Sequence, residues 1–303
     1  MKNSSKTISG LDIQREYVSV AQYSHEENAV LLVAIQPVSI IAGGDLGEQI
    51  SDDLKELRGK FKFTSPDIIC SIPSEYAIVK YLQVDNEDQN PQDSLEWELS
   101  QQVVGSIDEY VFDFQETDIR SDTQKSFLAV AYRKSTVNSI SSCIKKVRLN
   151  PVVVDLDIFA LINVFEANYP EKLEFPAVII HSENDKTKLI LTRNGDFIDY
   201  ECFEHETGFL DPLTFAEKNR SELDKLLSLN YSVLENNPVG IFFTGSMYAQ
   251  EQYCNVIVDK LGNGELLDPF RKIGCRVGVD EDQLKTYKSQ LAVAVGLAYR
   301  GNA

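Results

Sequence analysis

The chain is short of positive charge. Its 303 residues carry 29 Lys and Arg against 47 Asp and Glu, a formal net charge of -18. Such an excess repels nucleic-acid phosphates and anionic lipid headgroups, so no nucleic-acid partner is expected. Its natural counterpart is a basic partner segment, and its plainer reading is solubility. No apolar run is long enough to span a bilayer, and no N-terminal stretch has the apolar core of a signal peptide, so no direct membrane insertion is expected. The five cysteines are scattered, odd in number and without a Cys-x-x-Cys pair. That excludes a disulfide framework or zinc site and points to a reducing, cytoplasmic compartment. Cys70 and Cys143 lie in apolar runs and read as small core residues. The three histidines, His25, His181 and His205, lack metal-ligand spacing, and no metal site is expected.

What is present is ordinary globular composition, 43% hydrophobic and 25% charged, enough for two lobes. Residues 8–21 read as two short strands joined by the turn Gln14-Arg15-Glu16-Tyr17. The apolar run from Ala29 to Ile35 suits a third strand, and Gly43-Gly44 breaks the chain. Leu46, Ile50, Leu54 and Leu57 recur three or four apart, which predicts an amphipathic helix to Phe61. Asp67 to Ile72 reads as a buried strand stopped by Pro73, with Tyr76 to Val84 as the strand beside it. After the polar connector Asp85 to Pro91, a helix over 93–103 carries the only tryptophan, Trp97. Two strands over 110–116 and 126–132 and a helix over 136–149 complete a helix-strand-strand-helix insert.

Pro151 to Leu156 predicts a strand, and Asp157 to Tyr169 an apolar helix crossing between lobes. A second three-strand meander follows over 177–180, 188–192 and 197–203. Then come a helix over 213–235, the buried strand Gly240 to Thr244, a helix over 250–261 and a close-packing helix over 287–299. The strand-rich opening recurs at about half the chain length, which suggests an internal pseudo-repeat. The division expected is residues 1–85 as first-lobe core, completed by 150–170 and 285–303; residues 86–149 as the inserted subdomain; and 171–284 as a shortened second lobe.

Four stretches taken in order resemble one family. They are Gly10-Leu11-Asp12-Ile13; Leu95-Glu96-Trp97-Glu98 with Ile107 to Phe114; Phe127 to Lys134 running on to Leu149-Asn150-Pro151 and Asp155; and Ala292 to Arg300, preceded by Leu267-Asp268-Pro269-Phe270. Together they resemble PilM, the cytoplasmic actin-like protein family of type IV pilus assembly, related to FtsA. The resemblance implies an α/β, actin-like fold of the ribonuclease H-like, Hsp70/actin ATPase kind, with two lobes and a small α+β insert in the first.

ATP-binding members of the fold use small residues, so that backbone N–H groups reach phosphate oxygens, and carboxylates to place Mg²⁺ and its water. Here the first loop keeps only Asp12; Gln14, Arg15, Glu16 and Tyr17 replace its small residues. In the second loop His181 stands where an acid is expected and Glu183 where a glycine is. The third keeps Thr244-Gly245 but continues Ser246-Met247-Tyr248. The resemblance therefore implies no catalytic residue and no ATP turnover. ATP with Mg²⁺ would be at most a weak or vestigial ligand of Asp12, Thr187 and Gly245. Without its partners Asp12 reads as a strand-end acid, and His181 to Lys188 as a solvated hairpin turn.

In the family, a groove between the first lobe and the insert receives a short cytoplasmic tail of the inner-membrane protein PilN. The resemblance implies a partner-binding groove here formed by Tyr76, Tyr81, Glu96, Trp97, Phe112 and Phe114. From its sequence context alone Trp97 reads first as a core residue. The implied function is a pilus or secretion scaffold at the periphery of the inner membrane, held by a PilN-like bitopic partner and open to self-association. Two other readings remain: an active ATPase with a divergent cleft, and an FtsA-like filament adaptor. The ending Arg300-Gly301-Asn302-Ala303, with no amphipathic membrane helix, counts against the second.

Overall fold

Three sheets carry the chain. The structure is a computed structural model that describes residues 7–38, 47, 50–120, 123–205, 211–235, 237–262, 264–276 and 281–300. The expected break at Gly43-Gly44, the helix start at Leu46 and both chain ends lie outside the described residues.

The first strands, β1 (Thr7–Ile13), β2 (Tyr17–Ser24) and β3 (Ala29–Pro37), form an antiparallel meander. Helix α1 (Ser51–Lys60) leads to β4 (Asp67–Ile72), parallel to β1. The insert contributes β5 (Ala77–Asp85), α2 (Pro91–Ser100), β6 (Tyr110–Arg120), β7 (Gln124–Arg133) and α3 (Lys134–Lys146). The chain re-enters the first sheet as β8 (Asn150–Leu156), parallel to β4, and crosses through α4 (Asp157–Asn168).

The second meander is β9 (Ala177–Ser182), β10 (Lys186–Arg193) and β11 (Asp196–Glu204), followed by α5 (Pro212–Leu229) and α6 (Tyr231–Leu234). Then come β12 (Gly240–Thr244), α7 (Glu251–Leu261), β13 (Gly264–Leu266) and β14 (Gly274–Cys275). The described chain closes with α8 (Glu281–Tyr287), a 3-10 turn over Lys288–Leu291 and α9 (Ala292–Arg300). The sheet orders are β14-β3-β2-β1-β4-β8, β11-β10-β9-β12-β13 and β5-β7-β6. Both larger sheets are an antiparallel meander continued by parallel strands, so the halves repeat one plan.

Burial follows the two periodicities. In the second sheet Val178, Ile180, Leu189 and Leu191 pack under α5 and α7, while Ile179 and Ile190 join the main core. Strands buried on both faces read as continuous apolar runs, which is why these were legible. Helix α4 buries Ile158, Leu161, Ile162, Val164 and Phe165 together, as a helix between layers must. Helix α9 lies so close to β1 and α4 that only glycine fits twice. A Cβ at Gly10 would meet the Ala294 carbonyl oxygen at 2.1 Å, and one at Gly296 the Ala160 oxygen at 1.9 Å.

Several expectations are corrected. The strand after Pro73 does not lie beside β4: β5 pairs antiparallel with β7 over nine positions, in the insert's sheet. Alternation announced a strand but not its partner, and the 3-10 turn Ser74–Tyr76 redirects the chain. Strand β5 thus joins the insert's sheet although it precedes residue 85. The helix expected over 213–235 breaks at Asn230, and the last helix is interrupted by the 3-10 turn. Strands β13 and β14, of three and two residues, were too short to read.

Candidate functional site

Two places bring chemistry-bearing residues together, and the first is the cleft where the two meanders turn toward each other. The turn between β1 and β2 is closed by Gln14 N–H on the Tyr17 carbonyl at 2.9 Å, and that between β9 and β10 by Glu183 N–H on Lys186 at 2.8 Å. Asp12 is fully buried at the end of β1. Its Oδ1 accepts from the Ser71 hydroxyl at 2.8 Å and from the Gln14 side-chain amide at 3.0 Å. Burial pushes Asp12 up to about 7 against those two hydrogen bonds, with the charge of Asp157 adding to the rise.

Across the cleft, Tyr17 OH donates to Glu183 Oε1 at 2.8 Å, and Ser246 N–H donates to the same oxygen at 3.3 Å. The Ser246 hydroxyl is hydrogen-bonded to Oε2. Burial raises Glu183 to about 8, opposed by these hydrogen bonds. His181 Nε2 lies 3.2 Å from Oε1. Burial, with Lys188 nearby, lowers that imidazole to about 3, which favours its neutral form. Arg15 meets Asp185 at 3.4 Å and Glu16 accepts from Asn184 at the rim. Behind them buried Lys188 pairs with Asp157 and, at 2.6 Å, with Glu75, while Lys186 also reaches Glu75. The two lysines hold Glu75 down at about 2 although burial alone would raise it.

The structure thus places Asp12, Thr187 and Gly245 at one cleft and engages each of them within the chain. Thr187 donates to Ser182 Oγ at 2.8 Å and lies 3.0 Å from His205 Nε2. Gly245 has φ +107°, and a Cβ there would meet the Ser182 carbonyl oxygen at 2.2 Å, so glycine is required for strand approach. Its N–H donates to the Ser289 carbonyl at 3.1 Å. The run from His181 to Lys188 is not a solvated turn: His181, Glu183, Thr187 and Lys188 are buried, and only the tip is open. Composition suggested a surface turn; the second lobe's hairpin is buried because the first lobe sits on it.

The second place is the groove between the insert and the first lobe. Strand β8 ends the six-stranded sheet and β6 ends the insert's sheet, so each presents an edge. Both edges line a cavity of about 460 Å³, through Val111 to Gln115 on one side and Val153 to Leu156 on the other. An adjoining cavity of about 590 Å³ shares Gln115, Leu128, Asp155, Phe159 and Arg300 with it and adds Glu116, Asp118 and Asp196. Asp155 is 6% exposed and ion-paired with Arg300.

Of the residues expected at this groove, Phe112 and Phe114 lie on its wall. Their rings sit 5.4 Å apart and pack with the Leu95 and Leu99 cluster under α2. The β6 side chains on the groove face are therefore the alternate ones, Val111, Asp113 and Gln115. Tyr81 lines the adjoining cavity, where its hydroxyl donates to the Phe197 carbonyl and its ring stacks on Phe197 at 6.2 Å. Tyr76, Glu96 and Trp97 line neither cavity. Trp97 is no core residue: it is 63% exposed on the outer side of α2, because Leu95 and Leu99 take the inward positions. Sequence reading missed Val153, Asp155, Phe159 and Arg300. The β-branched run Val152-Val153-Val154 was a signal for an exposed edge.

Among the described residues no group of three or more His, Cys, Asp or Glu is placed to hold a metal ion. None of their helices is long and apolar enough to cross a membrane.

A family model described as type IV pilus assembly protein PilM matches residues 10–198, well over half of the chain. No curated protein matches the sequence. Among solved structures, a chain of the PilM–PilN type IV pilus biogenesis complex is similar at 20% identity and TM-score 0.78, with 98% of each chain covered. The cytoplasmic domain of EpsL, an inner-membrane component of the Vibrio cholerae type II secretion system, is similar at 10% identity and TM-score 0.53. That match covers 94% of this chain and 95% of the other. A Bacteroides thetaiotaomicron protein of actin-like ATPase fold gives 11% identity and TM-score 0.51, covering 89% and 95%. The fold is actin-like.

Proposed function

The chain belongs to the PilM family of type IV pilus assembly proteins, and on that premise we propose that it is an assembly scaffold that docks the extended cytoplasmic tail of an inner-membrane partner. The observation that carries this reading is the pair of sheet edges, β6 and β8, lining one groove. An extended segment can hydrogen-bond to such an edge and drop alternate side chains into the cavity beneath it. Asp113, Glu116, Asp118 and Asp196 make the groove's surroundings acidic, which suits a tail carrying Lys or Arg and speeds its capture. The similar solved chain comes from a complex with PilN, and a PilN-like bitopic protein is the partner proposed here. Through it the scaffold would sit at the cytoplasmic face of the inner membrane.

The scaffold works in this reading without turning over ATP. What supports it is the chemistry of the cleft: a phenol and a carboxyl stand where phosphate oxygens need small residues and backbone N–H groups.

Fluorescence polarisation with a labelled N-terminal tail peptide of the PilN-like partner tests the docking. The native protein is expected to bind saturably, and Asp113→Lys to weaken binding about tenfold or more. Absence of binding to the native protein overturns the docking. For the cleft, a ligand that binds only the folded state must raise its melting temperature. Mg-ATP is expected to leave the melt unchanged, and a saturable shift accompanied by phosphate release overturns the no-turnover reading.

A further inference from the structure

The cleft holds a set of contacts that the tail groove does not use. Tyr17 belongs to the first lobe, whereas Glu183 and Ser246 belong to the turns after β9 and β12 of the second. The two oxygens of one carboxyl collect a phenol O–H, a backbone N–H and a serine hydroxyl from three separate segments. Asp12, Gln14, Tyr17, His181 and Glu183 are between 0% and 4% exposed, so water does not compete for these bonds.

We propose that Tyr17, Glu183 and Ser246 form a built-in clasp that holds the two lobes closed where a nucleotide would otherwise bridge them, and that the clasp requires Glu183 to be uncharged. The proposal rests on the reading that the cleft turns over no ATP.

The groups around Glu183 explain the requirement. Asp12 faces it from β1, Tyr17, itself close to Glu16, from the first turn, and His181, whose imidazole burial holds toward the neutral form, from β9. The nearby cations are engaged elsewhere: Arg15 with Asp185, Lys186 and Lys188 with Glu75, and Lys188 with Asp157. An ionised Glu183 would therefore sit dry, with no cation of its own and with Asp12 nearby. In the protonated form every position is satisfied. Oε1 accepts from Tyr17 OH and Ser246 N–H; the Ser246 hydroxyl, which donates to an ionised Oε2, turns about its C–O bond to accept when Oε2 carries the proton. A glutamine reproduces that layout, with its carbonyl in place of Oε1 and its NH₂ in place of the protonated oxygen.

The pH dependence follows. Unfolded, this carboxyl loses its proton near 4.5; folded, it keeps it up to about 8. Between those values only the unfolded chain releases the proton as pH rises, so the folded state loses stability across that window. Above about pH 8 the folded carboxyl ionises as well, and the clasp itself lets go.

The experiment melts native protein, Glu183→Gln and Glu183→Ala between pH 5 and 9.5, with small-angle scattering at each pH. The melting temperature of Glu183→Gln minus that of the native protein is expected to rise by about 2 °C per pH unit up to pH 8 and then level off. Glu183→Ala, which leaves Tyr17 and Ser246 without their partner, is expected to melt lower than Glu183→Gln throughout. The native radius of gyration is expected to grow above pH 8, and that of Glu183→Gln to stay constant. A pH-independent gap between the native protein and Glu183→Gln overturns the proposal, and so does a Glu183→Gln that melts with Glu183→Ala. Neither readout involves nucleotide or partner. An Mg-ATP shift with phosphate release would remove the no-turnover reading while the melts still judge the clasp.

Discussion

The cleft and the groove are both seams between substructures, and they are finished in opposite ways. At the cleft the hairpin turns reach across and satisfy one another: Tyr17 on Glu183, Asn184 on Glu16, Arg15 on Asp185. At the groove two strand edges stand on either side of a cavity. At the cleft the polar groups are engaged by the chain's own side chains, whereas the groove is lined by strand edges with backbone donors and acceptors. In the proposed reading the cleft serves as a structural joint and the groove as the binding seam.

The sharpest way to break that comparison is Lys188→Ala. It leaves the fully buried carboxylate of Asp157 without its cation and takes a second cation from Glu75. A loss of about 3–5 kcal/mol is expected in denaturant unfolding. A loss below about 1 kcal/mol would mean that the cleft is not the joint described.

Tyr17→Phe removes one buried hydrogen bond across the clasp and keeps the ring. It should cost about 1–2 kcal/mol by the same measurement, and wild-type stability would show that the phenol contact contributes nothing. Across the other seam, Val153→Asp places a like charge on the half-exposed edge of β8 beside Asp113 and Asp155. Its stability should stay within about 0.5 kcal/mol of native, while tail-peptide affinity should move clearly; loss of stability with intact affinity would reverse the roles given to the two seams. The smallest effect belongs to Trp97→Ala. The indole is 63% exposed and outside both cavities, so both stability and tail affinity should remain near native in parallel titrations.

Much of the fold was legible because hydrophobic periodicity is local. The continuous runs Ala177 to Ile180 and Gly240 to Thr244 read as buried strands, and Ile140 with Ile144 as the inner face of a helix, without knowledge of any neighbour. Strand partnership was not legible. The alternation of β5 is equally compatible with β4 and β7, and the choice was made by a three-residue turn. Facing was not legible either: Phe112 and Phe114 are on the groove's wall, but α2 packs on their face of β6, and the alternate side chains Val111, Asp113 and Gln115 point to the cavity.

By itself the sequence determined the chemistry available: Gln14, Arg15, Glu16, Tyr17 and Glu183 at the loops where phosphate contact needs small residues, and a stretch from Asp93 to Asp118 with acids and no Lys or Arg. It determined the elements too, since period and propensity act within a few residues. Only the tertiary structure decided that Tyr17, Glu183 and Ser246, up to 229 positions apart by their numbers, share one carboxyl. It alone turned a run that reads as a solvated hairpin into a buried joint. Burial and hydrogen-bond partnership are properties of what lies opposite a residue, and nothing along the chain says what that will be.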